Sequence, residues 1–369
     1  MNTVSEQTSP HTGSARHRVL VAPDAFKGTA AAPAIAAAMG AGARSAGWDV
    51  DLCPLSDGGE GFAEVLAAGP APTDGAPPGV WQETEVTGPL GAPVLARWWL
   101  ADGVAVVESA AASGLPLAGG AAGNDPLRAS TRGTGELLVA AVAGGAKRVL
   151  VGVGGSATTD GGLGALEAIE AAGGLGTVEV VVACDVETRY VDAAEQFGPQ
   201  KGATPAQVAE LHDRLTALAL DLSARYGLDV ADLPGAGAAG GLAGGLAALG
   251  AQLVPGFGVV AEALGLQGRI EGVDLVVTGE GRLDASSWSG KVVGGVVHAA
   301  GLARVPVPVL VVAGTVGPGG IEGTAGAEVE VRSISDRFGE QRALGDPPGC
   351  VEEMVAAVLG EGRARRGAR

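Results

Sequence analysis

RVLVGVGGSATTDGG, residues 148–162, is the stretch whose reading decides the fold: an apolar run of β type empties into five glycines, a serine, two threonines and one aspartate. A strand that ends in glycines and hands over to an apolar helical pattern is the repeating unit of an α/β protein. The glycines let backbone amides approach a ligand closely, and the helix behind them offers its positive end, so the spacing suits an anionic or phosphorylated substrate. Gly154, Gly155, Ser156 and Thr158 are therefore candidate phosphate or substrate contacts, and Asp160 is a candidate catalytic carboxylate.

The same unit recurs on both sides of this stretch. Short Val/Leu-rich runs at 18–22, 49–54, 148–153, 178–183, 273–278 and 306–313 each end in a polar loop before an Ala-rich segment. Near-continuous apolar strands of this length belong to a parallel sheet covered on both faces. One region breaks the rhythm: 82–86, 94–100 and 104–108 follow one another closely, and Asp102-Gly103 between the last two is a strong hairpin signal. The expected fold is α/β, a flavodoxin-like open parallel sheet domain (18–80 plus 271–369) interrupted by a second, inserted α/β domain (81–270) that contains an antiparallel hairpin. Residues 1–17 read as a disordered tail, and the cleft between the domains is the expected active site.

Composition narrows the class. The chain has 369 residues, 47% of them hydrophobic and 3% aromatic, so its core is built from Val, Leu, Ala and Ile. A net charge of −17 argues against a nucleic-acid surface, which needs clustered Lys and Arg. No apolar run is long enough to span a bilayer. Cys53, Cys184 and Cys350 are odd in number, widely spaced and outside any CxxC arrangement, which fits a reduced cytoplasm.

The remaining candidates sit at strand ends. APDAFKGT supplies Asp24 and Lys27, for which the bland alternative is a helix cap and a surface lysine. PLSDGGEGF supplies Asp57 and Glu60, whose spacing suits either a shared Mg²⁺ shell or a capping box. Asp185 ends the strand at 178–183 and is placed to accept a proton or hold a metal. Lys201, in FGPQKGAT, suits a phosphate or carboxylate partner. GEGRLDASSWSGK brings Glu280, Arg282, Asp284 and Lys291 together in what reads as a glycine loop. By contrast LPGAGAAGGLAGGL, residues 233–246, reads as a segment pressed tightly against another backbone, not as a phosphate site.

Several standard signatures fail. Gly290-Lys291 is followed by Val292, so there is no P-loop, and GGSAT is not a nucleophile elbow. Gly152, Gly154 and Ala157 match GxGxxG/A, which keeps an NAD(P)-dependent oxidoreductase as a rival; the acid that should follow about 20 residues on is missing. Four histidines, two of them in the tail, make zinc chemistry a poor fit.

Taken together, VLVAPDAFKGT, PLSDGGEGF, VGVGGSATTDGG, ACDV, FGPQKGAT, PGAGAAGG and DLVVTGEGRLDASSWSGK resemble the type I glycerate kinases, which phosphorylate D-glycerate with ATP. The motifs occur in that family's order from residue 19 to residue 314. The resemblance implies two domains with glycerate and ATP in the cleft, Mg²⁺ neutralising phosphate charge, and the 2-hydroxyl as acceptor. It implies small-molecule partners without nucleic acid or membrane, and fixes no oligomeric state. By role, Asp185 is the leading general base or metal-orienting carboxylate and Asp160 its competitor. Lys27, Lys201 and Arg282 are placed for the substrate carboxylate or the transferring phosphate, and Asp57, Glu60, Glu280 and Asp284 for Mg²⁺ or nucleotide orientation. The chain departs from the family pattern at Ala25, usually serine, in a short connection before residue 178, and in ETRYVDAAEQ after Val186. A non-catalytic sugar-acid or nucleotide-binding relative of the kinases is the second rival.

Overall fold

A computed structural model of the protein describes residues 17–69, 78–321 and 328–367. The tail expected over 1–17 lies, but for its last residue, outside the described residues. Two sheets organise the rest. The first joins β1 (Arg18–Val21), β2 (Asp49–Leu52), β9 (Leu275–Leu283), β10 (Val309–Val316) and β11 (Val329–Ser333), all parallel, in the order β2-β1-β9-β10-β11. Numbered within the sheet this is 2-1-3-4-5, the flavodoxin-like order, and its direction of winding reverses between β1 and β9. The second sheet runs β3 (Val80–Thr87), β4 (Pro93–Ala101), β5 (Val104–Glu108), β6 (Arg148–Gly152), β7 (Glu179–Ala183), β8 (Gln252–Val254). Its first three strands are antiparallel and the rest parallel. Asp102 and Gly103 both take positive φ, 45° and 75°, as the two-residue hairpin requires.

One expectation needs correction. The strand expected to stop at 278 continues to Leu283, with Glu280 opposite Ala313 and Arg282 opposite Thr315 of β10. GEGRL is thus strand and not loop. The glycines permit it, because a Cβ on Gly281 would crowd the backbone of Phe26 at 3.3 Å. Alternation along β9 then sets Glu280 and Arg282 on one face.

The apolar runs of β1, β6, β7 and β10 are continuous because these strands are buried on both sides, whereas the sheet-edge strands β2, β8 and β11 are partly exposed. Leu20, Val276, Leu150, Val181 and Val106 all enter a single core layer shared by the two sheets. Their neighbours Val19, Val21 and Val277 face a different layer, with Met39 and Met354. Val149, Val151, Val182 and Val107 face a third, with Leu137, Ile169 and Leu246. Between the sheets lie the helices Phe62–Ala67, Gly256–Ala263, Leu266–Ile270 and Val292–Gly301, whose Phe62, Val260, Ile270 and Val296 belong to the shared layer. Among the described residues no helix is long and apolar enough to cross a membrane.

The segment at 233–246 behaves as expected. A Cβ on Gly241 would come within 2.7 Å of Gly161 Cα, and one on Gly245 within 2.7 Å of Gly161 O, so the two glycine-rich stretches lie backbone against backbone.

Phe62 is fully buried in the layer common to both sheets. Phe62→Ala is expected to cost about 3–5 kcal/mol and to loosen both sheets together, seen as one lowered denaturant midpoint in both near- and far-UV signals.

Candidate active site

The carboxyl ends of β1, β2, β6, β7 and β9 all open toward one junction. Neither aspartate of the first two loops serves as a cap. The helix Ala32–Ser45 starts behind Ala31 with no side-chain cap. The helix Phe62–Ala67 follows Gly61, so the capping box at Asp57 does not form. Its Phe62 amide donates instead to Glu108 at 3.0 Å, a carboxylate at the end of β5 that the sequence reading passed over. Burial, with Glu64 nearby, pushes Glu108 up to about 7.

Asp57 is left to accept from the Lys27 ammonium at 3.0 Å and from the Gly59 amide at 3.1 Å. Asp57 is buried whereas the Lys27 side chain is 56% exposed. Burial disfavours charge on both, yet each holds the other ionised: Lys27 draws the Asp57 pKa down, and Asp57, Asp24 and Asp185 draw that of Lys27 up. The other carboxyls have no cation to themselves. Asp24, 4% exposed, is pushed from 3.8 to about 7 by burial and then by Asp57. Asp185 is pushed to about 6 by burial, by the charge of Asp57 and by a hydrogen bond with it. Glu280 is raised as well, chiefly by burial, and its Oε1 is buried without a partner. Asp24, Asp57 and Asp185 thus share Lys27, while Glu280 also feels Lys291.

A cavity of about 500 Å³ opens on one side, lined among others by Gly58, Gly154, Ser156, Asp185, Phe197 and Lys201. Lys201 is 3% exposed. Its Nζ donates to Ser156 Oγ at 2.9 Å and to Thr158 O at 2.6 Å, and burial lowers its pKa to about 7 against the pull of Asp160. The Gly154 loop is packed so closely that a Cβ there would lie 2.7 Å from Gly59 Cα. Ala239, which lines the same cavity, takes φ +52°, a strained conformation for a non-glycine residue.

On the other side a cavity of about 330 Å³ is lined by Lys27, Glu280, Arg282, Asp284, Ser286 and Lys291 with others. It lies at the reversal point of the five-stranded sheet, where open α/β sheets collect ligands. Lys291 donates to Ser286 Oγ at 3.1 Å, and Arg282 lies 3.5 Å from Asp284.

Other candidates are placed elsewhere. Asp160 accepts from the Thr131 amide and hydroxyl at 2.8 and 2.9 Å and from the amides of Gly162 and Gly164, so its oxygens brace the turn before the helix Leu163–Ala171. The Thr158 hydroxyl faces Ala239 O at 3.4 Å. Glu60 is exposed. Asp284 caps residues 285–288 through Ser286. The four carboxylates expected to serve Mg²⁺ or nucleotide orientation are therefore not gathered at one point, and among the described residues no three His, Cys, Asp or Glu side chains converge as a metal cage.

Comparison with known proteins follows the same outline. A family model described as "Glycerate kinase family" matches residues 19–174 and 171–359. Glycerate 2-kinase of Escherichia coli K12 is 40% identical over 326 residues, covering 79% of this chain and 84% of its own. Glycerate kinase of Halalkalibacterium halodurans is 37% identical over 337 residues, covering 82% and 86%. A crystal structure from Salmonella typhimurium LT2, provisionally assigned as glycerate kinase 2, superposes with a TM-score of 0.77 at 33% identity, over 96% of this chain and 100% of that one.

The raised carboxyls have a thermodynamic signature. Between 3.8 and about 7 the folded protein keeps a proton on Asp24 that the unfolded chain releases, so this group makes stability fall as pH rises through that window. Asp24→Asn, which keeps the acceptor for the Ala25 amide, is expected to melt above the parent at pH 8 and level with it near pH 3. A lower melting temperature at pH 8 contradicts this electrostatic reading.

Proposed function

This chain belongs to the glycerate kinase family and is a kinase, and from that premise we propose that it transfers the γ-phosphoryl group of ATP to the 2-hydroxyl of glycerate around Lys27. One observation carries the reading. Lys27 lines the smaller cavity, and its ammonium pairs with Asp57, which in turn meets Asp185 on the wall of the larger one. A single cation thus links the two compartments that a donor and an acceptor need. The two sheets meet at this junction, which supports keeping residues 18–80 with 271–369 and residues 81–270 as the two domains.

The chemistry decides which substrate goes where. The acceptor belongs in the larger cavity, beside Asp185. There the amides of Gly154, Gly155 and Ser156, together with Lys201, would receive its carboxylate, and Asp185, poised near neutrality, would take the hydroxyl proton as that oxygen attacks phosphorus. The donor phosphates belong in the smaller cavity with Arg282, Lys291 and Ser286, at the reversal point of the flavodoxin-like sheet. As the bond to the β-phosphate oxygen breaks, the Lys27 ammonium would balance charge on the transferring group.

The orphaned Glu280 Oε1 and the surplus of carboxyls fit a divalent cation. Mg²⁺ commonly binds through one or two carboxylates plus substrate phosphates, so a protein cage is not required. Asp24 and Glu280 would hold it, and it would supply neutralisation of phosphate charge. Asp160, Glu60 and Asp284 take no direct part in this scheme. Three buried free thiols support a cytoplasmic setting.

ADP release should depend on D-glycerate and on Mg²⁺, and the product should be dehydrated directly by enolase without a mutase, as only the 2-phosphate allows. Absence of acid-stimulated ADP release overturns the reading; a product that needs the mutase overturns the 2-position. Asp185→Asn is expected to lower kcat about 10²–10⁴-fold. Lys27→Met is expected to lower it by about 10²–10³-fold. In the parent enzyme kcat/KM should fall as pH drops through about 6, where Asp185 takes up its proton, and this limb should be absent from the residual activity of Asp185→Asn.

A further inference from the structure

Lys201 is held from outside the site. Asn124 follows the four-residue helix Gly120–Gly123, and its Nδ2 donates to Ala157 O at 3.0 Å and to Lys201 O at 2.9 Å. Both amide hydrogens are thereby used. Turning the amide over would set Oδ1 against two carbonyl oxygens, so the hydrogen bonds fix its orientation. The acceptors flank the cradle: Ala157 directly follows Ser156, the residue whose hydroxyl takes the Lys201 ammonium. Asn124 Oδ1 is buried with no partner, a cost that an apolar residue of similar size would not incur.

The segment before Asn124 runs along the same wall. Gly114 bridges to Ser156, the Leu115 amide donates to Gly155 O at 2.9 Å, and Leu115 and Pro116 line the larger cavity. Residues 114–124 therefore leave the cradle at one end and grip the Lys201 turn at the other. The side chain that closes this loop is Asn124.

We infer that Asn124 is a positioning residue that ties the backbone of the 154–158 loop to that of Lys201, and so sets the affinity for the acceptor's carboxylate without touching it. The inference rests on the reading above, in which Lys201 receives that carboxylate. Loss of the clamp leaves the ammonium in place chemically but free to turn away from Ser156.

The test is a double-mutant cycle. Asn124→Ala is expected to raise KM for glycerate about tenfold, while kcat and KM for ATP stay within about twofold. In a Lys201→Met background Asn124→Ala should add nothing, because its effect passes through the ammonium. Additive losses, an equal rise in KM for ATP, or no change in KM for glycerate overturn the inference. If Asn124→Ala does not fold, Asn124→Ser, which keeps one donor, takes its place with a smaller rise. Should the parent protein lack glycerate-dependent turnover, the proposed function falls. The clamp is then decided by the ¹⁵N signal of the Lys201 ammonium, which moves in Asn124→Ala if the clamp holds it and stays if it does not.

Discussion

The apolar layer shared by the two sheets is the constraint on which the rest depends. Leu20 and Val276 enter it from one side and Leu150 and Val181 from the other, with Phe62 and Val260 packed between. A sheet strand has two faces, and here one face of each sheet is used to hold the other sheet. The carboxyl ends of β1, β9, β6 and β7 therefore reach a common junction by packing, before any polar contact is made. The polar residues at those ends inherit their proximity from valines and leucines several residues upstream.

That arrangement sets up an electrostatic debt at the junction. Burial favours neutral carboxyls, Lys27 can hold one of them ionised, and it holds Asp57. Asp24, Asp185 and Glu280 share what remains, and their pKa values rise. An added positive charge at this junction would favour the ionised form of these carboxyls, and an added negative charge would disfavour it. The cations Lys201, Arg282 and Lys291 stand farther out, toward the two cavities. Lys201 there meets the Ser156 hydroxyl and the Thr158 carbonyl, whereas Arg282 stands 3.5 Å from Asp284.

Much of this was legible in the residues. Apolar runs of five to eight residues with polar ends gave six of the parallel strands but not β8 or β11, whose partly exposed residues make no such run; Asp102-Gly103 gave the hairpin, and the small-residue run at 233–246 announced close backbone packing. What local pattern could not supply was partnership across the chain. The spacing of Asp57 and Glu60 is that of a capping box, but the helix begins only at Phe62, whose amide donates to Glu108 in the other sheet. Asp160 has the neighbours of a catalytic acid, but Thr131 reaches it first. GEGRL reads as a loop because glycine usually weakens a strand, whereas pairing with β10 carries β9 straight through it. Asn124 bears no motif at all, since its value lies in two carbonyls 33 and 77 residues away.

The backbone-on-backbone contact between Gly161 and the glycines at 241 and 245 has a consequence for how such a protein can diversify. Positions that admit no side chain are closed to mutational exploration, and they include the rear support of the loop that follows the cradle. Variation in the larger cavity is then left to lining positions that carry a side chain, among them Leu115, Pro116, Val186, Phe197 and Gln200. Inheritance in this fold is divided accordingly, with a rear wall that cannot drift and a front wall where variation is affordable.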